Sequence, residues 1–387
     1  MKIVVVGAGA FGGWLALFLL RKGFEVILVD GHGAGNARSS SGDETRVIRS
    51  VYKDEIYARF AQRSMKIWQE HEADKTERFF FPIGVLNLIG RDESRWLAAR
   101  HHLDKLGISY DLMDTTTLVK KYSCISPTGL NYAVLEKSGG YLRARRGCES
   151  VVEQFISLGG NYLRAFINPV EIEGGKIRHL TTISGEKIEG DHFVLAAGSW
   201  LGQLMPEKSS AYITPTRQDL YYFGMPQSAV EKMSNLPVWC DFSSLDDDVM
   251  YYGIPANDMG SQGFGFKIGE DVAGPVFDPE SGERTISKEG LERARHFMHQ
   301  RFPCMAGAPL LQSRVCQYEN SPDAHLIADK LPSYENLWVL GGGSGHGYKL
   351  GAAVGEYMAG LMAGDSNPEP ILSFERFSRP LDQDKRR

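Results

Sequence analysis

The first thirty residues change character in blocks. After Lys2 comes an unbroken β-branched run, Ile3-Val4-Val5-Val6. Glycines at positions 7, 9, 12 and 13 follow, then an apolar stretch over 14–20, then a second short apolar run over 25–29 closed by Asp30. A short continuous run of β-branched residues predicts a strand buried on both faces. The whole pattern predicts strand, tight turn, helix, strand, with the helix ending at Arg21-Lys22-Gly23. Residues 3–20 are all apolar or glycine, which is also the look of a leader peptide or a membrane helix. The β-branched start and the interrupting glycines favour the strand–turn–helix reading, and no small-x-small cleavage site follows.

Further along, helical spacing predicts helices over 57–71, 95–106, 148–158 and 350–362. Phe60, Met65, Ile67 and Trp68 are the candidate packing residues of the first, and Gly159-Gly160 stops the third. Strands are expected over 79–89, 162–167, 176–182, 193–196, 212–223, 249–254, 265–268 and 337–340. A second α/β unit begins near Gly139-Gly140-Tyr141, and the strand-rich middle reads as an antiparallel sheet. No internal repeat is present, and the polar residues 382–387 read as a frayed tail.

Composition narrows this little. A length of 387 residues exceeds one ordinary domain and fits two. With 42% hydrophobic and 24% charged residues the chain is ordinary globular material, and a net charge of -5 gives no footprint for nucleic acid or a membrane surface. Five scattered cysteines, an odd number with no C-x-x-C pair, argue against a disulfide framework or structural zinc, so a reducing, cytoplasmic setting is expected.

Two glycine-rich turns carry the chemistry. Gly7-Ala8-Gly9-Ala10-Phe11-Gly12 fits G-x-G-x-x-G between a strand and a helix, and the next strand ends in Asp30. Gly7 permits the sharp turn, Gly9 lets a pyrophosphate approach, and Gly12 lets the helix sit close on the sheet. The helix N-terminus suits phosphates, and Asp30 suits ribose hydroxyls. This unit alone does not separate FAD from NAD. The second turn is Gly341-Gly342-Gly343-Ser344-Gly345-His346-Gly347, whose five glycines exceed what a strand-to-helix link needs. A cofactor pinched between both ends of the chain is the expected arrangement.

At these residues the chain resembles the sarcosine-oxidase branch of the D-amino-acid-oxidase superfamily. The resemblance runs through the N-terminal turn with Asp30, through Ser40-Ser41-Gly42-Asp43-Glu44-Thr45-Arg46-Val47-Ile48-Arg49, and through Tyr251-Tyr252-Gly253 with Phe266-Lys267-Ile268-Gly269. It continues in Arg314-Val315-Cys316-Gln317-Tyr318 with Pro322-Asp323, and in Ser344-Gly345-His346-Gly347-Tyr348-Lys349. It implies FAD bound by Gly7, Gly9, Gly12, Asp30, Ser40, Thr45, Arg46, Gly343, Gly345, His346, Gly347 and Lys349, with a covalent link from Cys316 to the flavin. It further implies that Arg49 and Lys349 clamp a substrate carboxylate, that Lys267 assists the reaction of reduced flavin with oxygen, and that Tyr252 and Tyr318 line the pocket. Taken singly, each has an ordinary alternative: a surface charge, a strand-edge lysine, a packing tyrosine, a buried free cysteine. The chain departs from the branch at Ser41 and Gly42, where some members carry a histidine pair, and at Asp271, which stands for a pocket histidine.

The expectation is therefore an α/β fold: an FAD-binding Rossmann-like domain from residues 1–80, 140–210 and 310–387, and a substrate domain with a mainly antiparallel sheet from 81–139 and 211–309. The expected activity is oxidation of the C–N bond of a small secondary or N-substituted amino acid to an imine, with O2 reduced to H2O2. The alternatives are a dehydrogenase of the same fold using another electron acceptor, a nucleotide-binding subunit without a reaction, and an NAD-dependent dehydrogenase. The expected partners are the small-molecule amine and O2.

Overall fold

A computed structural model of the chain describes residues 1–170, 175–205, 211–243, 245, 249–256 and 264–378. The tail at 382–387 lies outside the described residues.

The N-terminal pattern folds as read: strand Lys2–Val6, helix Gly12–Arg21, strand Glu25–Val29. They belong to a six-stranded sheet whose order is Ile327–Lys330, Leu337–Gly341, His192–Leu195, Lys2–Val6, Glu25–Val29, Asn161–Leu163. Every neighbouring pair is parallel except the first, where Ile327–Lys330 runs against Leu337–Gly341. The alternation of a strand splits the Ile3–Val6 run between two cores. Ile3 and Val5 join a cluster with Leu15, Trp68, Phe155 and Leu350, whereas Val4 and Val6 join Phe193, Leu337, Ile188 and Phe374 on the other face. Helices Glu55–Glu72, Ala144–Ser157 and Gly347–Ala363 contribute to the first cluster with Gly12–Arg21. Burial on both faces is why this strand carries no polar residue after Lys2.

A second sheet has eight strands in the order Leu310–Asn320, Thr214–Phe223, Phe266–Asp271, Met250–Ile254, Val238–Phe242, Val85–Ile89, Tyr132–Glu136, Tyr110–Asp114. All its pairings are antiparallel except Val238–Phe242 with Val85–Ile89. Trp239, Tyr251, Phe266 and Ile268 pack here with Phe297 and Phe302 of the helix Lys288–Arg301 and its end. Arg301, fully buried, ties helix to sheet: its Nε donates to Asp241 Oδ2 at 2.6 Å, Nη2 to Ser243 Oγ at 2.9 Å, and Nη1 to Ser126 O.

The strand expected over 79–89 is two strands. Phe80–Phe81 joins a three-stranded sheet with Thr45–Ile48 and Gly140–Arg143, while Val85–Ile89 joins the eight-stranded one. Pro82 lies between them and has no N–H for a ladder, and Gly84 adopts φ +85°. Among the described residues no helix is long and apolar enough to cross a membrane, and the apolar stretch over 3–20 is the strand and helix described above.

Candidate active site

One large cavity, about 1040 Å³, is lined from both large sheets. Small-molecule sites run to about 300–1,000 Å³, so it has room for a long ligand.

Its nucleotide-turn end is built by close contact. Gly7 has φ +109°, and a Cβ there would fall 2.3 Å from Ala196 O; a Cβ on Gly12 would fall 1.9 Å from Gly7 O. Gly7 and Gly9 line the cavity; Gly12 does not, and serves the turn. The helix Gly12–Arg21 has no acidic residue in its first turn, which leaves its positive end uncompensated. Asp30 lines the cavity with its carboxylate held by Ala8 N (2.8 Å) and Gly33 N (2.6 Å). Each oxygen keeps acceptor capacity for a hydroxyl.

The C-terminal loop supplies the facing wall. Gly343, Gly345, His346, Gly347 and Lys349 line the cavity. Ser344 is held at φ +41°, a region costly for a side chain, by Ser344 N–Glu319 O (3.1 Å), Ser344 Oγ–Gly342 O (3.0 Å) and Ser321 N–Ser344 Oγ (3.2 Å). His346 Nε2 sits 3.1 Å from Ala324 O, its Nδ1 is buried without a partner, and burial together with Lys349 pushes the imidazole down to about 3.

Arg49 and Lys349 meet at the same cavity. They are 7% and 9% exposed, and both approach the ring of Tyr52, at 5.2 and 5.8 Å. Arg49 also donates to Val51 O and lies 5.8 Å over Phe242. Neither has a carboxylate partner among the described residues. Glu136, near enough for Arg49 to act on it, is held by Ser50 N at 2.8 and 2.9 Å. Burial, and then Arg49, pushes the Lys349 ammonium well below the ordinary lysine range. Two buried cations without an anion are costly unless a ligand supplies one. Tyr252 and Tyr318 line the cavity and hydrogen-bond each other, and Tyr318 Oη donates to Asp271 Oδ1 at 3.3 Å. Burial raises the Tyr252 phenol to about 12.

Cys316, on strand Leu310–Asn320, faces the cavity beside Arg46, whose Nη2 lies 3.2 Å from Sγ and 2.8 Å from Ser40 O. Ser40 and Arg46 also line the cavity. Lys267 and Thr45 do not. Lys267 is 1% exposed and donates to Asp43 Oδ2 and to Thr45 O (2.5 Å). Asp43 also accepts from Tyr222 Oη at 2.5 Å and from Arg46 Nη1. Burial alone would raise this carboxyl, but Lys267 and Arg46 outweigh it and hold it well below the carboxylate range.

Sequence reasoning assigned no role to Asp43, Glu319 or Arg95. Asp43 lies inside a motif named above and Glu319 directly follows one, so an acid beside motif glycines and cations is the available signal. Arg95 sits on the helix Ser94–Lys105 and reaches the cavity with its guanidinium 4.9 Å over Phe242.

A family model described as FAD-dependent oxidoreductase matches residues 2–361. The chain belongs to the FAD-dependent oxidoreductase family. It is 26% identical to N-methyl-L-tryptophan oxidase of Yersinia pestis (strain Pestoides F) over 378 residues, 95% of this chain and 96% of that one. Among solved structures it is similar to L-proline dehydrogenase from P. horikoshii (TM-score 0.83, 20% identity, 98% of both chains). It is similar also to Amadoriase I from Aspergillus fumigatus (TM-score 0.77, 20% identity, 96% of this chain and 89% of that one) and to glycine oxidase from Bacillus cereus ATCC 14579 (TM-score 0.76, 16% identity, 95% and 96%). At these identities the structures speak for the fold: a Rossmann-like FAD-binding part with a substrate part. The chain is an FAD-dependent oxidoreductase. The residues of this FAD-dependent enzyme fit its cofactor: two glycine cradles, two helix N-termini without acids in the first turn, and buried polar atoms without partners, His346 Nδ1 and Glu319 Oε2, on one long cavity.

Proposed function

We propose that this enzyme oxidises the C–N bond of a small secondary or N-substituted amino acid to the imine. The observation that carries this reading is the buried pair Arg49 and Lys349, two cations with no carboxylate partner among the described residues, on the cavity that also holds the nucleotide turn. FAD, when bound, takes up the two electrons of the C–N bond. The chain's own residues bind and orient. Arg49 offers a fork and Lys349 a point charge to the substrate carboxylate, while Tyr252 and Tyr318 border the remaining space. The FAD-binding part is assigned to residues 1–80, 140–210 and 310–387, and the substrate part to 81–139 and 211–309. Cys316, facing the cavity beside Arg46, is the residue proposed to carry the flavin covalently. Ser40, Thr45 and Arg46 are assigned to the cofactor, Thr45 from behind the cavity wall. The five cysteines are free, which accords with the cytoplasmic setting proposed for the enzyme.

The electron acceptor is proposed to be O2, reduced to H2O2. A second reading, a dehydrogenase passing electrons to another acceptor, is favoured by one observation: the Lys267 ammonium is turned onto Asp43 rather than onto the cavity. A panel of amino-acid amines, read in parallel by peroxide release and by reduction of an artificial dye, tests both. Turnover of amines lacking a carboxylate at the same efficiency removes the substrate reading; dye reduction without peroxide selects the second acceptor.

A further inference from the structure

One buried acid on the cavity wall has no place in the reading above. Glu319 stands one residue before the end of strand Leu310–Asn320, is 6% exposed and lines the cavity. Its carboxyl lies against the C-terminal glycine loop. A Cβ on Gly343 would fall 2.8 Å from Oε1, and Cβ atoms on Gly341 and Gly198 would fall 3.3 and 3.8 Å from Oε2. The Gly343 and Gly342 amides act on the carboxyl, and Oε2 is buried without a hydrogen-bond partner.

The surroundings supply no counter-charge. Its partner across the strand pair is Pro215, and Leu201 packs into the same corner beside Gly341. Within the 341–347 loop the one ionisable side chain is His346, which is engaged with Ala324 O and held neutral. No cation pairs with Glu319 among the described residues. A buried carboxyl with no cation is driven to its neutral form; burial, offset in part by the two glycine amides, pushes this one up to about 8. A neutral carboxyl has an O–H to give. Glycine amides already serve the group, and the unpartnered oxygen lies beside Gly341 and Gly198.

We propose that Glu319 is a cofactor-binding residue that works as a neutral acid, donating its O–H to an oxygen acceptor of bound FAD, a ribityl hydroxyl or a phosphate oxygen. The Gly343 and Gly198 contacts place it beside the part of the cavity that suits a sugar–phosphate chain rather than at the Arg49–Lys349 end. Binding FAD then requires the proton. Once the proton leaves, a buried anion faces a cofactor that is itself an anion, so affinity falls as pH rises through the carboxyl's own range.

The test is reversible FAD binding rather than turnover. Apoprotein of the Cys316→Ser variant, in which no covalent link can mask dissociation, is titrated with FAD by flavin fluorescence between about pH 6 and about pH 10. The expected result is a Kd that is level at first and then climbs about tenfold per pH unit. In the Cys316→Ser, Glu319→Gln protein, neutral at every pH and still a donor, the climb is lost. Calorimetry of FAD binding in two buffers of different ionisation enthalpy, at about pH 9, should show uptake of about one proton by the Glu319 protein. Parallel pH profiles in the two proteins, or no proton uptake, overturns the proposal. The calorimetric arm needs no substitution at Glu319, so it stands even where the glutamine variant folds badly.

Discussion

Replacing Arg49 by alanine tests the anion site most directly, and the structure sets both the size and the pH signature of the effect. A charge-assisted hydrogen bond to a buried carboxylate is worth about 1.5–3 kcal/mol. At about 1.4 kcal/mol per factor of ten, losing one such contact lowers kcat/KM by roughly tenfold to somewhat over a hundredfold. Lys349 changes too. Its ammonium is depressed by burial first and by Arg49 second. A lysine with a lowered pKa is charged only below that pKa, and a bound carboxylate favours the charged form. In the native enzyme KM for an acidic substrate should therefore rise as pH climbs through the Lys349 titration. Arg49→Ala removes a neighbouring cation, so the same rise should move to higher pH, and the variant should lose less at high pH than at neutral pH. The assay is kcat/KM against pH for one N-substituted amino acid and for its uncharged amide. The amide should be a poor substrate of the native enzyme and nearly indifferent to the substitution. Unchanged turnover of the acid in Arg49→Ala would mean that the carboxylate binds elsewhere. A lowered but unshifted pH limb would mean that Arg49 and Lys349 do not share one anion.

Lys267→Met should slow the reoxidation of reduced enzyme by O2 by about tenfold or more while leaving anaerobic reduction by substrate much less affected; stopped-flow traces of the two half-reactions read this, and an unchanged oxygen rate would take Lys267 out of the oxygen reaction. Cys316→Ser should free the flavin into the supernatant on acid precipitation, whereas native protein should keep it in the pellet; flavin released from both means Cys316 is packing. Arg301→Ala should cost about 3–5 kcal/mol of stability, since it leaves the buried Asp241 carboxylate unpaired. A urea midpoint corresponding to less than about 1 kcal/mol would show that the pair is dispensable.

The elements legible in the sequence were those whose burial is uniform. After their charged first residues, Lys2–Val6 and Glu25–Val29 are apolar, as is Leu337–Gly341, because both faces of their sheet are covered, so their runs need no tertiary knowledge. Leu310–Asn320 is not legible as a strand although it is eleven residues long. Its polar residues do not alternate: Arg314 reaches Gly42 O and Glu44, Gln317 reaches Arg38 O, and Glu319 faces the cavity. A strand that lines a site is patterned by the site. The helix Lys288–Arg301 is hidden in the sequence for a related reason, since its largest buried side chain is an arginine whose carboxylate partner lies 60 positions earlier. In the site itself, the two glycine turns and the Arg49, Lys349 and Cys316 positions came from motifs. The turning of Lys267 onto Asp43 could not, because 224 positions separate them and only the folded chain makes them neighbours.

The order of strands also governs how the chain can be made. Lys2–Val6 leaves a ribosome well before its partner His192–Leu195, which follows almost two hundred positions later, and Leu337–Gly341 joins later still. The parallel pair of Val85–Ile89 with Val238–Phe242 has a similar gap. At roughly 5–20 residues per second, the first strand waits on the order of ten seconds or more with an apolar edge open. Nascent chains of this enzyme should therefore lean on holding chaperones, and fragments that stop before Leu337 should aggregate rather than fold as smaller versions of the whole.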